Sequence, residues 1–76
     1  MWDKKMKDFK LRADDDFIKL GQLLKAAGLV DTGVEAKFEI LDGKVKVNGE
    51  TAYERGKKIH NGDTVLYKSQ EITVIK

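Results

Sequence analysis

Residues 44–49 read Lys-Val-Lys-Val-Asn-Gly, an alternation of charged and apolar side chains that ends in a turn pair. Successive side chains of a β-strand point to opposite faces, so the two valines share one face and the two lysines the other. Asn48-Gly49 tolerates the positive φ angles of a two-residue hairpin turn, so a second strand should follow at once. The stretch predicts a hairpin whose valine face packs on a core and whose lysine face is exposed.

Composition limits the kind of protein that contains this hairpin. The chain has 76 residues, of which 41% are hydrophobic and 37% charged, as expected for one small globular domain. It contains no cysteine, so disulfides and thiolate zinc sites are excluded and apolar packing must stabilise the fold. The formal net charge of +2 is too small to identify a nucleic-acid-binding protein, so the arrangement of the charges has to decide. Because the sequence contains neither a membrane-spanning apolar run nor a secretion signal, we expect a cytoplasmic protein, with a monomer as the default.

Two parts are predicted along the chain. Residues 1–12, which include Trp2 and interleave lysines with Phe9 and Leu11, form an N-terminal extension or a short edge strand. Residues 13–76 form a single domain.

A first helix is predicted over residues 17–28. Asp14–Asp16 precedes it, and aspartates at a helix start accept hydrogen bonds from free backbone amides. Phe17 begins an apolar stripe with steps of three and four residues, and Gly28 ends the helix.

A second helix is predicted from about Gly33 to Leu41. Thr32 and Glu35 have the spacing of a capping box at its start, and Gly43 stands where a helix commonly ends.

β-structure is predicted after the second helix. The hairpin extends to about Tyr53, and a loop rich in glycine and lysine covers residues 54–63. Strands at 64–67 and 71–76 are joined by a turn at 68–70. The sequence therefore predicts an α+β fold in which two N-terminal helices pack on a small, mainly antiparallel β-sheet.

No arrangement of side chains indicates catalysis. His60 is the only histidine and has no cysteine to pair with, and Ser69 has no neighbouring base. The consecutive aspartates at 14–16 point in different directions and lack the spacing of a calcium loop. We predict a protein that is not an enzyme and has no metal or cofactor.

Basic residues are frequent after position 36, in the second helix, the hairpin and the following loop. These residues are Lys37, Lys44, Lys46, Arg55, Lys57 and Lys58. Several of them would meet on one surface if the second helix packs beside the hairpin. Composition alone leaves open the simpler interpretation that they only keep the protein soluble.

Residues 32–49 resemble the core motif of the RNA-binding domain named after ribosomal protein S4, roughly Ser-Arg-x-x-Ala-x-x-x-Ile-x-x-Gly-x-Val-x-Val-Asn-Gly. The matching positions are Thr32, Ala36, Ile40 or Leu41, Gly43, Val45, Val47, Asn48 and Gly49. Leu-Leu-Lys-Ala-Ala-Gly-Leu at 23–29 resembles the family's first helix, and Lys-Ile-His-Asn-Gly-Asp-Thr-Val at 58–65 resembles its later motif. The resemblance covers residues 17–75. The short length and the Leu-Gly-x-Leu-Leu-Lys run at 20–25 are similar to small stand-alone bacterial members, the YbcJ/YaaA-like proteins.

The resemblance implies an alpha-L fold that binds structured RNA (rRNA or tRNA) in association with the ribosome, through shape rather than base sequence. Gly33 stands where the family commonly has arginine, so that contact is missing and Lys37 is the candidate replacement. Backbone amides near Thr32 and Gly33 are expected to bind a phosphate. The residues expected to contact RNA are Lys19, Gln22, Lys25, Thr32, Gly33, Lys37, Lys44, Lys46, Asn48, Arg55, Lys57 and Lys58.

The sequence leaves two alternatives open. Phe17 and Tyr67 are assigned to the core, but Phe38 and Tyr53 could either pack or stack on an unpaired base. The alternative function is a protein-interaction module that recruits a partner through an exposed β-strand edge.

Overall fold

The computed structural model describes residues 5–76, so Trp2 lies outside the described residues. The elements in chain order are β1 (Lys5–Lys10), β2 (Phe17–Lys19), α1 (Leu20–Ala26), α2 (Gly33–Leu41), β3 (Val45–Val47), β4 (Glu50–Thr51), β5 (Lys58–His60), β6 (Thr64–Tyr67) and β7 (Gln70–Ile75). Five strands form a sheet in the order β1-β7-β6-β3-β4, and β2 pairs with β5 in a separate ribbon. Every pair is antiparallel except β1 with β7. The predicted α+β class is confirmed, although two strands precede the helices.

The Lys-Val-Lys-Val-Asn-Gly stretch forms the predicted hairpin. Val45 and Val47 are buried, whereas Lys46 between them is exposed. Asn48 and Gly49 connect β3 to β4 with φ angles of 52° and 87°, the positive values that a two-residue turn requires. The alternation of charge and hydrophobicity therefore decides which face of β3 meets the core.

One hydrophobic core joins the helices to the sheet. α1 contributes three leucines spaced by three and four residues, and α2 contributes Ala36 and Ile40. The sheet contributes mainly β-branched side chains and one tyrosine: Val45, Val47, Val65, Tyr67, Ile72 and Val74. Full burial of one such large apolar side chain stabilises a fold by about 1.5–3 kcal/mol. Within residues 5–76, neither helix is long and apolar enough to cross a membrane.

The first helix begins at Leu20, three residues later than the sequence predicts. Phe17–Lys19 forms β2 instead, because its backbone pairs with Lys58–His60 in the segment predicted as a loop. Asp14–Asp16 therefore lies before a strand, and the first turn of α1 contains no acidic residue. α1 ends at Ala26, two residues before the predicted end, and Gly28 follows its C-cap with a φ of 78°.

The N-terminus of α1 is capped by a loop that is distant in sequence. The Leu20 amide donates to the Lys57 carbonyl and the Gly21 amide to the Arg55 carbonyl, each at 2.9 Å. The first amides of a helix have no partners within it, and here the loop supplies the acceptors. Gly21 permits the approach, because a Cβ there would lie 3.3 Å from the Arg55 Cβ.

The second helix has the predicted bounds, Gly33–Leu41. The Thr32 hydroxyl accepts a hydrogen bond from the Glu35 amide at 3.1 Å. The Glu35 carboxylate accepts from the Asp31 amide at 2.9 Å, one residue before the position that a capping box uses. Gly43 follows the helix with a φ of 76°, as its position in the sequence indicates.

The strands at the two edges of the sheet differ in length. β1 runs beside β7 at one edge, and β4 lies at the other. β4 contains only two residues and does not extend to Tyr53 as predicted. β6 and β7, joined at Lys68-Ser69, form the second predicted hairpin.

A hydrogen bond from Tyr67 to Glu39 connects the sheet to α2. The Tyr67 hydroxyl donates to the Glu39 carboxylate at 2.6 Å. This bond holds the pKa of Glu39 below its ordinary value. Burial, assisted by the same bond, raises the pKa of Tyr67 to about 12. The folded state therefore favours a protonated Tyr67 and an ionised Glu39.

Tyr67→Phe is expected to lower the thermal midpoint Tm by about 4–8 °C, because it removes one hydrogen bond to a charged group. In the parent, the Glu39 contribution to stability is present above the unfolded pKa and is lost as the pH falls through the lower folded value. The Tyr67 contribution is present below pH 10.0 and is lost as the pH rises towards about 12. Thermal unfolding across the acid and alkaline ranges measures both. If the variant lost stability at both extremes as steeply as the parent, this role would be refuted.

Gly21→Val is expected to separate the loop from α1, since an added Cβ already lies 3.3 Å from the Arg55 Cβ. We expect faster hydrogen exchange at the Leu20 amide and a lower Tm. Gly33→Val is the matched control, because this glycine is also helical but has no atom within 4 Å of an added Cβ. Equal exchange at Leu20 in the two variants would show that Gly21 does not control the position of the loop.

Candidate nucleic-acid interface

The capping of α1 brings the cations of the 54–58 segment against the helix start. The carbonyls of Arg55 and Lys57 bond to the first amides of α1, so both side chains branch from the chain beside it. Lys19 immediately precedes α1, and Lys58 lies opposite Lys19 across the β2–β5 ribbon. All four side chains are exposed. Two segments that are distant in sequence thus place four cations around the start of one helix.

The ribbon holds two of these cations directly across from each other. Like charges at directly opposed positions of an antiparallel pair destabilise it, and a bound anion would relieve the repulsion between Lys19 and Lys58. The Lys58 Nζ lies 4.8 Å from the ring centroid of Phe17. Phe17 is half-buried rather than part of the core as predicted, and its ring centroid lies 5.9 Å from that of His60. The Phe17 ring therefore supports Lys58 at the surface.

The exposed side of α1 extends this group of cations into an open groove. Gln22 and Lys25 lie on this side, away from the buried leucines. Together with Lys19 they line a groove of about 910 Å³, to which Lys10 and Arg12 also contribute. Lys10 and Arg12 are not among the residues that the sequence predicts to contact RNA.

Parallel pairing of β1 explains why those two residues were missed. The Leu11 amide donates to the Ile75 carbonyl at 2.7 Å, which fixes the chain just after β1. Pairing between the two ends of the domain leaves no local pattern, so only the excess of cations before residue 13 could have indicated it. Asp14–Asp16 lines the same groove. Asp16 accepts a hydrogen bond from Lys76 at 2.9 Å, which lowers the pKa of its carboxyl.

The start of α2 is less suited to phosphate than the sequence predicts. The Thr32 hydroxyl accepts a hydrogen bond from the Glu35 amide, so that amide is not available to a ligand. The Glu35 carboxylate at the helix start would repel an anion there. Gly33 remains open, since nothing lies within 4 Å of an added Cβ. Lys37 is exposed one turn further along the helix.

The two lysines of the hairpin differ in their surroundings. The Lys44 Nζ lies 3.5 Å from a carboxylate oxygen of Glu39 and 3.8 Å from one of Asp42. Lys46 is exposed in the centre of β3. The charge of Lys44 is therefore partly neutralised at the end of α2, which leaves Lys46 as the better placed of the two.

Asn48 is committed to the fold. Its Oδ1 accepts from the Thr64 amide at 2.9 Å, and its Nδ2 donates to Asp63 at 3.1 Å. Asp63 also accepts from the His60 amide at 2.8 Å. The His60 and Asn48 hydrogen bonds lower the pKa of Asp63. This network joins the hairpin turn to the His-Asn-Gly-Asp turn and agrees with a structural role for both.

Known proteins are similar to this chain in sequence and in fold. The S4 domain family model matches residues 9–75. The chain is 40% identical over 52 residues to RlbA of Bacillus subtilis, which is named a probable ribosome maturation protein. This match covers 68% of this chain and 73% of that protein. It is 34% identical over 58 residues to YbcJ of Escherichia coli, covering 76% of this chain and 83% of that protein. The solution structure of YbcJ is described as having an alpha-L motif involved in RNA binding. It matches this structure with a TM-score of 0.67 and 30% sequence identity, and the match covers 100% of this chain and 92% of that chain.

The module also occurs within a larger enzyme. The chain is 43% identical over 49 residues to a tyrosine–tRNA ligase of Burkholderia lata, a match that covers 64% of this chain but only 12% of the ligase. The ligase's activity therefore cannot be carried over from this match. The family model spans nearly all of the described chain, and its small relatives align over most of their own length. The chain belongs to the S4 domain family and has the alpha-L fold.

Proposed function

We propose that this protein binds structured RNA, either rRNA or tRNA in association with the ribosome, and catalyses no reaction. The observation that supports this most strongly is the capping of α1 by the carbonyls of Arg55 and Lys57. It gathers cations from separate segments on a surface whose backbone is fixed by hydrogen bonds. We call this the basic surface: Lys19, Gln22, Lys25, Lys37, Lys46, Arg55, Lys57 and Lys58.

The chemistry of the basic surface suits an RNA backbone. Its cations meet phosphates as ions, and a rigid arrangement of such contacts recognises the shape of a folded RNA rather than its base sequence. Lys10 and Arg12 add cations along the groove beside α1, and Asp14–Asp16 offset part of that charge. The description of the YbcJ structure agrees with RNA as the partner, and the name of RlbA agrees with a role in ribosome maturation.

The strand-edge alternative has less support. An added strand needs a run of unpaired backbone groups, and β4 offers only two residues at its edge. At the other edge, β1 has the sequence Lys-Met-Lys-Asp-Phe-Lys, and charged lysines discourage pairing with another strand. Lys7 is exposed and donates to the Ala27 carbonyl at 3.4 Å.

Replacing Lys37, Arg55 and Lys57 together by glutamate is expected to abolish RNA binding without unfolding the domain. For the parent, log affinity should fall by about 0.7–0.9 per phosphate contact for each tenfold increase in salt. Filter binding to total tRNA and to purified rRNA, each at several salt concentrations, measures both effects.

The control replaces Lys7 and Lys68 by glutamate and is compared with the Arg55→Glu/Lys57→Glu double variant, which has the same net charge. Its substitutions lie outside the basic surface and leave the Lys76–Asp16 ion pair intact, so we expect it to retain most of the affinity. If the two double variants lost binding equally, net charge rather than the basic surface would explain it. If the triple variant bound as well as the parent, the proposed surface would be wrong.

A further inference from the structure

Tyr53 is a large aromatic side chain that the fold leaves uncovered. It follows β4, precedes the Arg55–Lys57 loop and is 60% exposed. It lies in the chain between the hairpin that carries Lys46 and the loop that carries Lys57. An exposed ring at such a place has no role in the core.

The backbone of Gly43 supports the Tyr53 ring from one side. A Cβ added at Gly43 would lie 3.5 Å from Cε1 and 3.6 Å from the hydroxyl oxygen of Tyr53. Gly43 has a φ of 76°, a conformation that favours glycine, so no side chain separates the ring from the end of α2. One edge of the ring therefore lies beside the Gly43 backbone, while most of its surface remains open to solvent.

One cation shares a groove with this ring, and another lies on the hairpin that precedes it. Lys46 is paired with Thr51 across the hairpin, and directly opposed residues share a face. Tyr53 is two residues beyond Thr51, just after β4, and both are exposed while Ala52 between them is buried. Tyr53 and Lys57 line one groove of about 410 Å³ along the edge of β4.

The other charges of this groove determine which part of a nucleotide fits it. Glu50 and Glu54 also line it, and their carboxylates would repel a phosphate. The same carboxylates accept hydrogen bonds from the N–H groups on the edge of a base. A base therefore fits the groove, and its phosphates fit the cations at the margins.

We propose that Tyr53 stacks on one unpaired base of the bound RNA, while Lys46 and Lys57 contact the phosphates that flank this nucleotide. The RNA recognised is then a structured RNA with a bulged or looped-out nucleotide rather than a continuous duplex. This inference rests on the proposed function and adds to it the kind of RNA that is bound.

Phe38 provides the matched control. It is 58% exposed, but it lies on α2 between two exposed aliphatic side chains, Val34 and Leu41. It does not line the groove with Lys57. Replacing Phe38 removes an exposed ring of similar size that does not lie in the groove with Lys57.

The test compares two synthetic RNA duplexes, each made of two separate strands, one fully paired and one with a single bulged 2-aminopurine. The parent should bind the bulged duplex about tenfold more tightly, the effect of one stacked base, and should quench its fluorescence. Tyr53→Leu should lose this preference and the quenching, whereas Tyr53→Phe and Phe38→Leu should keep both. Circular dichroism and Tm establish that each variant is folded.

The outcomes separate the two proposals. If the parent bound neither duplex and neither tRNA nor rRNA, the proposed function would fail and this inference with it. If it bound tRNA or rRNA but neither duplex, only the stacking role would be overturned. If the parent bound both equally, or if Tyr53→Leu kept the preference for the bulge, only the stacking role would be overturned. The exposed ring would then belong to a contact with something other than RNA.

Discussion

Two backbone hydrogen bonds, from the amides of Leu20 and Gly21 to the carbonyls of Lys57 and Arg55, determine much of this molecule. A helix of seven residues is well below the length of about 12–15 residues at which an isolated helix becomes even marginally stable in water. α1 therefore depends on its tertiary contacts, and these bonds attach its start to the segment that carries the loop cations. The same bonds that stabilise the helix also place the charges, so folding and formation of the basic surface cannot be separated.

The sequence predicts those parts of the fold that depend on neighbouring residues. The hairpin at 44–49 and the helix Gly33–Leu41 are confirmed because alternation, capping and a terminal glycine act within a few residues of one another. The predicted start of α1 is wrong because Phe17–Lys19 pairs with Lys58–His60, about forty residues away, and no local pattern indicates such pairing. Aspartates before an apolar stripe also occur ahead of a strand, which is their place here.

The same distinction between local and long-range contacts applies to the candidate site. Arg55, Lys57 and Lys19 could be named from their sequence, but only the tertiary structure shows that they meet. Lys44 was assigned beside Lys46, yet the end of α2 supplies two carboxylates that partly neutralise it. Asn48, Thr32 and Glu35 use their polar groups within the fold. The contribution of Lys10 and Arg12 depends on a strand pairing across the whole domain, and the contact of each residue with RNA stays a prediction.

The parallel pairing of β1 with β7 has a consequence for the order of folding. Lys5 pairs with Gln70, so nearly the whole chain must be ordered before this contact can form. Closing so long a segment costs entropy that the contact repays only at the end, whereas the β3–β4 and β6–β7 hairpins close short loops. β1 should thus join the sheet late and leave it early. Because Lys10 and Arg12 belong to this last segment, the groove beside α1 has two complete walls only in the fully folded protein, and a partly opened domain would retain the loop cations but lose that extension.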